Sequence, residues 1–184
     1  MSAVRRPLPE QALLRQLLDY EPDTGTLTWR ERPEPMFTRR GRCQWWNGQY
    51  ANRPAFRTKH GPHLSGSIGH RSYTAHRVIW KLVHGVDPDQ IDHINGNGSD
   101  NRLSNLRNVS HAENMRNLPL PPHNRSGHAG VSFRDDIGKW CARIRAEGRH
   151  LYLGVFETFE EAVVVRQAAE RLHGYHPNHG RKAA

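Results

Sequence analysis

Leu13, Leu14, Leu17 and Leu18 recur at i, i+1, i+4 and i+5, the spacing of one helical face, and predict an amphipathic helix over 10–20. Pro22-Asp23-Thr24-Gly25 is a turn, and Thr26-Leu27-Thr28-Trp29 alternates as a short strand. Residues 31–60 carry Pro, Gly and charge without a clean period and read as an irregular excursion. The runs 63–68 and 70–74 flank Gly69 and predict a hairpin. Val78, Ile79, Leu82 and Val83 then mark a helix over 75–84, with Gly85 as its C-cap. A short strand over 90–94, a Gly/Asn-rich loop over 95–100 and a second strand over 103–109 follow. Ser110 with Glu113 forms a capping box that opens a helix reaching about residue 117.

The run Leu118-Pro-Leu-Pro-Pro-His-Asn-Arg-Ser126 reads as a stiff linker. Beyond it the period returns to two, with strands over 130–134, 139–146 and 149–156 separated by Asp/Gly and Glu/Gly turns. Thr158 and Glu161 cap a last helix running to about 173, and the tail from Gly174 is expected to fray. Alternation puts Trp140, Ala142 and Ile144 on one face of the middle strand, and Lys139, Cys141, Arg143 and Arg145 on the other. Leu151 and Leu153 likewise oppose His150 and Tyr152. The apolar set is expected to pack on Phe159, Ala162, Val165, Ala169 and Leu172. That leaves Ser132, Arg134, Arg143, Arg145, His150 and Tyr152 on an open face.

Composition narrows the partners. The chain has 184 residues, a formal net charge of +9 and a sequence pI of about 10.2, which points to a phosphate polyanion. Six of those nine charges fall between Arg30 and His60, interleaved with Trp45, Trp46, Tyr50 and Phe56. Basic residues among aromatics suit a strand tracking a nucleic-acid backbone. The 61–118 stretch is nearly neutral. No apolar run approaches the ~20 residues a membrane span requires, and the first residues lack the apolar core of a signal peptide. Only Cys43 and Cys141 are present, so neither a disulfide scaffold nor a four-cysteine zinc site is expected. Apart from His76, His93 and His111, the histidines are too scattered along the sequence to suggest a structural zinc.

The candidate chemistry lies in Asp92-His93-Ile94-Asn95-Gly96, followed by Asn105 and Asn114. A carboxylate can hold a hard divalent cation by oxygen. A neutral imidazole is a competent base near pH 7. The two amides, at offsets of 12 and 21 from His93, can fix the histidine and complete a metal site.

These residues, with Asn101-Arg102-Leu103-Ser104-Asn105-Leu106-Arg107 and Glu113-Asn114-Met115-Arg116-Asn117, closely resemble HNH endonucleases of phage and homing type. The resemblance extends through Ala75-His76-Arg77-Val78-Ile79-Trp80 to the opening segment from Tyr20 to Trp29, so it covers most of residues 10–118. It implies a ββα-metal fold with His93 as general base, Asp92 and Asn114 as metal ligands, and Asn105 bonding across the loop to hold His93 in orientation. The implied ion is Mg²⁺, with Mn²⁺ as the alternative. Many relatives carry His where this chain has Asn114, and His111, one turn earlier, is the rival ligand. Arg102, Arg107 and Arg116 flank the site as candidate phosphate clamps. His76 and Arg77 either contact DNA or brace the motif.

Residues 126–174 resemble the APETALA/ethylene-response-factor DNA-binding domain, on Gly130-Val131-Ser132-Phe133-Arg134, Gly138-Lys139-Trp140-Cys141-Ala142-Arg143-Ile144-Arg145 and Tyr152-Leu153-Gly154-Val155-Phe156-Glu157-Thr158. That family lays a three-stranded sheet in the DNA major groove. Arg134, Arg143, Arg145, His150 and Tyr152 would face the duplex. Where plant relatives carry an acidic residue this chain has Arg143, so their target sequence does not transfer.

The expected fold class is α+β: a ββα-metal nuclease unit followed by a small three-stranded antiparallel sheet with one packed helix. The expected domains are 1–60, a basic DNA-gripping segment; 61–118, the nuclease; 119–127, the linker; 128–176, the DNA-binding domain; and 177–184, a flexible tail. The expected protein is a metal-dependent endonuclease on double-stranded DNA, nicking or cutting both strands, with a monomer favoured over an oligomer, in the cytoplasm of a bacterial or phage-infected cell. A DNA-binding regulator with a degenerate nuclease site is the alternative. An RNA nuclease fits the charge but not the major-groove reader.

Overall fold

Apolar spacing builds the first element: Leu14 and Leu17 are buried on one face of α1 (Gln11–Leu17). The computed structural model describes residues 7–116, 120–121, 123–146, 148–175 and 179–180. The linker and tail expectations, and the end of the helix expected to reach 117, lie partly outside these. Contacts group into two units divided between Val109 and Ser110.

In the first unit the opening helix is shorter than its period suggests. Leu18 is buried at 2% exposure, but as the first residue of β1 (Leu18–Glu21), which pairs antiparallel with β2 (Thr26–Trp29). Leu13 stays 40% exposed. Buried leucines that straddle a helix and a strand mimic a longer helical stripe, and pairing with β2 decides the boundary. The expectation of an irregular excursion over 31–60 is corrected too. Arg42–Tyr50 forms α2, a helix with no buried residue, and so with no apolar stripe to read. It is held instead by Asn47, which accepts from Arg32 N (3.0 Å) and donates to Arg32 O (2.9 Å). The Arg32 guanidinium lies 3.7 Å from the Trp46 ring centre and 5.0 Å from that of Trp29.

β3 (Thr58–His60), β4 (His63–Ile68) and β5 (Arg71–Thr74) form an antiparallel sheet in that order. α3 (Ala75–His84) ends at Gly85 as its spacing predicts, and buries Val78 and Ile79 completely. Burial of each such side chain contributes roughly 1.5–3 kcal/mol. β6 (Gln90–His93) pairs antiparallel with β7 (Leu106–Val109). Leu103–Asn105 is a 3₁₀ turn rather than the start of the strand, because Asn105 N donates back to Arg102 O at 2.9 Å.

The second unit opens on α4 (His111–Met115). Ser110 N donates to Glu113 Oε2 (2.8 Å) and Glu113 N to Ser110 Oγ (3.2 Å), the reciprocal bonds of the expected capping box. β8 (Val131–Arg134), β9 (Lys139–Ala146) and β10 (Arg149–Phe156) form a sheet of order β10-β9-β8. α5 (Phe159–Leu172) starts at the Thr158–Glu161 capping box. Its Ala162 packs with Val131 and Ala142, flanked by Trp140, Leu153, Phe156 and Phe159. Three face assignments fail. Leu172 is 81% exposed at the helix end, Leu151 is 38% exposed, and Cys141 is fully buried although alternation puts it on the open face. Register slips between Tyr152 and Gly154, a bulge that period-two reading has no means to place. Arg166 is an unexpected core member, 3% exposed, with Nε donating to Ala129 O (2.9 Å) and Nη2 3.2 Å from Glu170. No described helix is long and apolar enough to cross a membrane.

Candidate active site

Asp92 and His93 close β6 and are 7% and 4% exposed. Antiparallel pairing sets Asp92 opposite Arg107 and His93 opposite Leu106. Arg107 uses that position: Nε (2.8 Å) and Nη2 (2.6 Å) both donate to Asp92 Oδ2. Its charge therefore compensates the carboxylate within the fold.

The loop after His93 is tied by its own amides. Asn105 Oδ1 accepts from Asn95 N (2.9 Å), and Asn105 Nδ2 donates to Asn95 Oδ1 (3.0 Å) and Asp100 O (2.8 Å). Asn105 O accepts from Ile94 N at 2.9 Å. The Asn105 side chain thus bonds across the loop. The residue at the His93 ring is Asn101, whose Oδ1 lies 3.2 Å from His93 Nε2. An amide oxygen only accepts, so Nε2 carries the hydrogen and Nδ1 the lone pair. Asn101 is 2% exposed, and its own carbonyl accepts from Tyr20 OH at 2.8 Å. Burial pushes the Tyr20 phenol up to about 12, so it stays a donor. Asn101 was not singled out by sequence reasoning. The signal was the amide of the Asp100-Asn101 pair, indistinguishable in sequence from other loop asparagines.

The β1–β2 turn braces this segment. Leu103 N donates to Pro22 O (3.3 Å). Gly25 lies at φ +73, where a Cβ would sit 2.4 Å from Arg102 N and 2.5 Å from Asn101 C. Glycine is needed there for both conformation and approach. Asp100 is held down at about 2, chiefly by Arg102, whose Nε and Nη2 donate to it at 2.8 and 2.6 Å.

Burial, more than any neighbour, lowers the pKa of His93; the Asn101 bond opposes this. His76 is 7% exposed and is pushed down to about 3, first by burial and then by the charges of His63, His93 and Arg77. Its ring centre lies 5.2 Å from that of His93 and 4.6 Å from that of His63, and His63 stacks on His93 at 5.4 Å. The expectation that the histidines are too scattered for a metal group is corrected here. His63, His76 and His93 each bring a ring nitrogen within 4.8 Å of the others.

The remaining candidates divide by unit. Arg77 follows His76 on α3 and is half-buried. Asn114, half-buried, and His111, exposed, lie on α4 in the second unit, where Asn114 N donates to Ser110 O at 3.0 Å. Arg116 follows the same helix. On the sheet, register sets Arg143 beside Tyr152 and Arg145 beside His150, and all four are exposed. Arg134 is engaged by Asp136. In the basic 30–60 stretch, Trp45 and Tyr50 are exposed at 48% and 42%, whereas Phe56 is a core residue at 3%. Phe56 therefore has no surface to offer a base.

Comparison with known proteins bears on this geometry. A family model described as HNH endonuclease matches residues 73–116, from β5 through Arg116. Protein 3.8 of Escherichia phage T7 is 31% identical over 101 residues, covering 54% of this chain and 84% of that protein. No solved structure matches significantly.

Proposed function

Because the chain belongs to the HNH endonuclease family, we propose that it is a metal-dependent DNA endonuclease that hydrolyses phosphodiester bonds with His93 as general base. The observation that carries this reading is the buried His93 with Nε2 committed to Asn101 Oδ1. That bond leaves Nδ1 to take a proton from water. Burial keeps the ring neutral, and so able to accept, at pH values where an exposed histidine is already charged.

Asp92 is the residue of the first unit that would hold the cation, and its carboxylate oxygen is a hard donor that fits Mg²⁺ or Mn²⁺. When bound, such an ion polarises the scissile phosphate and stabilises the leaving oxygen. Arg107 shares Asp92 and so tunes how readily that carboxylate is given to a cation. Asn105 keeps the 95–100 loop closed, and so holds the Asn101 amide against His93. Arg143, Arg145, His150 and Tyr152 form the surface that would dock duplex DNA, with Arg39, Arg40, Arg57 and Lys59 as further exposed positive charges. A single site cuts one strand per visit, so a monomer nicks.

Incubation of supercoiled plasmid with the full chain, in Mg²⁺ and in EDTA, tests the reading. Nicked circles in Mg²⁺ alone are expected. No metal-dependent nicking over a range of salt and metal conditions would favour a DNA-binding protein with a lapsed site.

A further inference from the structure

His63, His76 and His93 arrive from three elements, β4, α3 and β6, and their ring nitrogens lie within 4.8 Å of one another. Nδ1 of His63 and Nδ1 of His76 are buried without a hydrogen-bond partner. Buried polar atoms are rarely left so, and both belong to rings of this cluster, whose ligand nitrogens lie within 4.8 Å of one another. The opposite nitrogens of two of the rings are accounted for: His76 Nε2 lies 3.3 Å from Thr74 Oγ1, and His93 Nε2 lies 3.2 Å from Asn101 Oδ1. An oxygen behind the ring is the support that metal-bound histidines characteristically have, because it fixes the tautomer and the ring plane. The 2.7 Å approach of His63 Nδ1 to the point where Gly98 would carry a Cβ shows that the loop leaves His63 its place only because residue 98 is glycine.

We propose that His63, His76 and His93 form a transition-metal site, suited to Zn²⁺ and its first-row neighbours and distinct from the hard oxygen donor that Asp92 offers. Three neutral imidazoles with a water in the fourth position make a tetrahedral zinc site. Imidazole nitrogens select such ions over Mg²⁺, whose preference is oxygen. Zn–N bonds of about 2.0–2.1 Å put the nitrogens about 3.4 Å apart, so the rings close by up to about 1.4 Å. His63 is the least buried of the three and has the most freedom to move. A consequence, resting on the nuclease reading, is that an ion held here takes the His93 lone pair. Zinc then silences the base while Mg²⁺ supports cutting.

The test is a Co²⁺ titration of the full chain without DNA, followed by Zn²⁺ displacement. One Co²⁺ per chain, with the visible absorption of a four-coordinate nitrogen site and displacement by one equivalent of Zn²⁺, is expected. His63→Ala should bind at least ~100-fold more weakly, beyond the loss usual for removing an outer-shell partner. His70→Ala, on the exposed β4–β5 turn, should bind as wild type. A wild-type spectrum of six-coordinate Co²⁺ only, which needs no variant to interpret, would overturn the site. So would undiminished binding by His63→Ala. In the plasmid assay, one equivalent of Zn²⁺ should lower Mg²⁺-driven nicking at least ~10-fold in the wild type and leave the ratio near one in His63→Ala. The two readings fail separately. Four-coordinate Co²⁺ in a chain that never nicks DNA upholds the site and removes the nuclease reading. Mg²⁺-dependent nicking without that spectrum does the reverse.

Discussion

At the scale of the residue, the proposed chemistry rests on one nitrogen of His93. His93→Ala is expected to reduce plasmid nicking by ~10²–10⁴-fold, the usual range for a general base, while gel-shift affinity for duplex DNA stays within about twofold. Retention of full cutting by this variant would remove His93 from the reaction. Its pH profile is equally specific. Burial lowers the His93 pKa, so the nicking rate should hold steady as pH falls past about 6.5 and decline only at more acid values. Asn101→Leu tests the positioning role found in the structure. Without the amide the tautomer is no longer fixed, and a ~10–100-fold fall in rate is expected. The Asn101 bond raises the His93 pKa, so the acid limb should also move to lower pH. A rate loss with an unmoved limb would mean that Asn101 acts only on the fold. Asp92 and His93 were legible as a candidate pair because they are adjacent in sequence. Asn101 was not, because its importance comes from the direction of one amide in a loop that holds several asparagines.

At the scale of the element, the β1–β2 turn and the histidine-bearing helix carry testable strain and charge. Gly25→Ala places a Cβ against backbone atoms of Asn101 and Arg102 at a positive φ. A loss of about 2–3 kcal/mol in urea unfolding is expected, together with slower nicking because the Asn101 segment is displaced. A variant as stable as wild type would show that the turn yields without cost. His76 is neutral in the fold down to about pH 3 but protonates near 6.5 when unfolded. Its contribution is fully present above about 6.5 and is withdrawn as pH falls toward 3, at about 1.4 kcal/mol per pH unit. Urea unfolding across this window should show His76→Gln with a shallower pH dependence than wild type. Equal slopes would indicate that other groups dominate acid unfolding. α3 and the capped helices α4 and α5 were legible because their apolar stripes and caps are local. α2 was not, since a helix that buries nothing leaves no stripe, and the end of α1 was hidden by a leucine that belongs to a strand.

At the scale of the whole molecule, the buried Asp92 carboxylate is compensated by Arg107, while other cations are left exposed. Arg102, Arg107 and Arg134 each have an acidic partner, whereas Arg143 and Arg145 are exposed on the sheet beside Tyr152 and His150. The double variant Arg143→Ala/Arg145→Ala should bind duplex DNA more weakly and lower the slope of log affinity against log salt by about 2 if both touch phosphate. An unchanged slope from fluorescence anisotropy would exclude those contacts. The amino-acid sequence alone determined the strand-and-helix order of most of the chain, the basic balance, and the Asp92-His93 pair with its spaced asparagines. These follow from periodicity, turn chemistry and adjacency, all local properties. Only the tertiary structure decided that Asn101 sits at the His93 ring, that Arg107 occupies Asp92, and that three histidines far apart in sequence share one buried space. Such relations come from strand register, loop closure and burial, which bring residues together by packing rather than by their order along the chain.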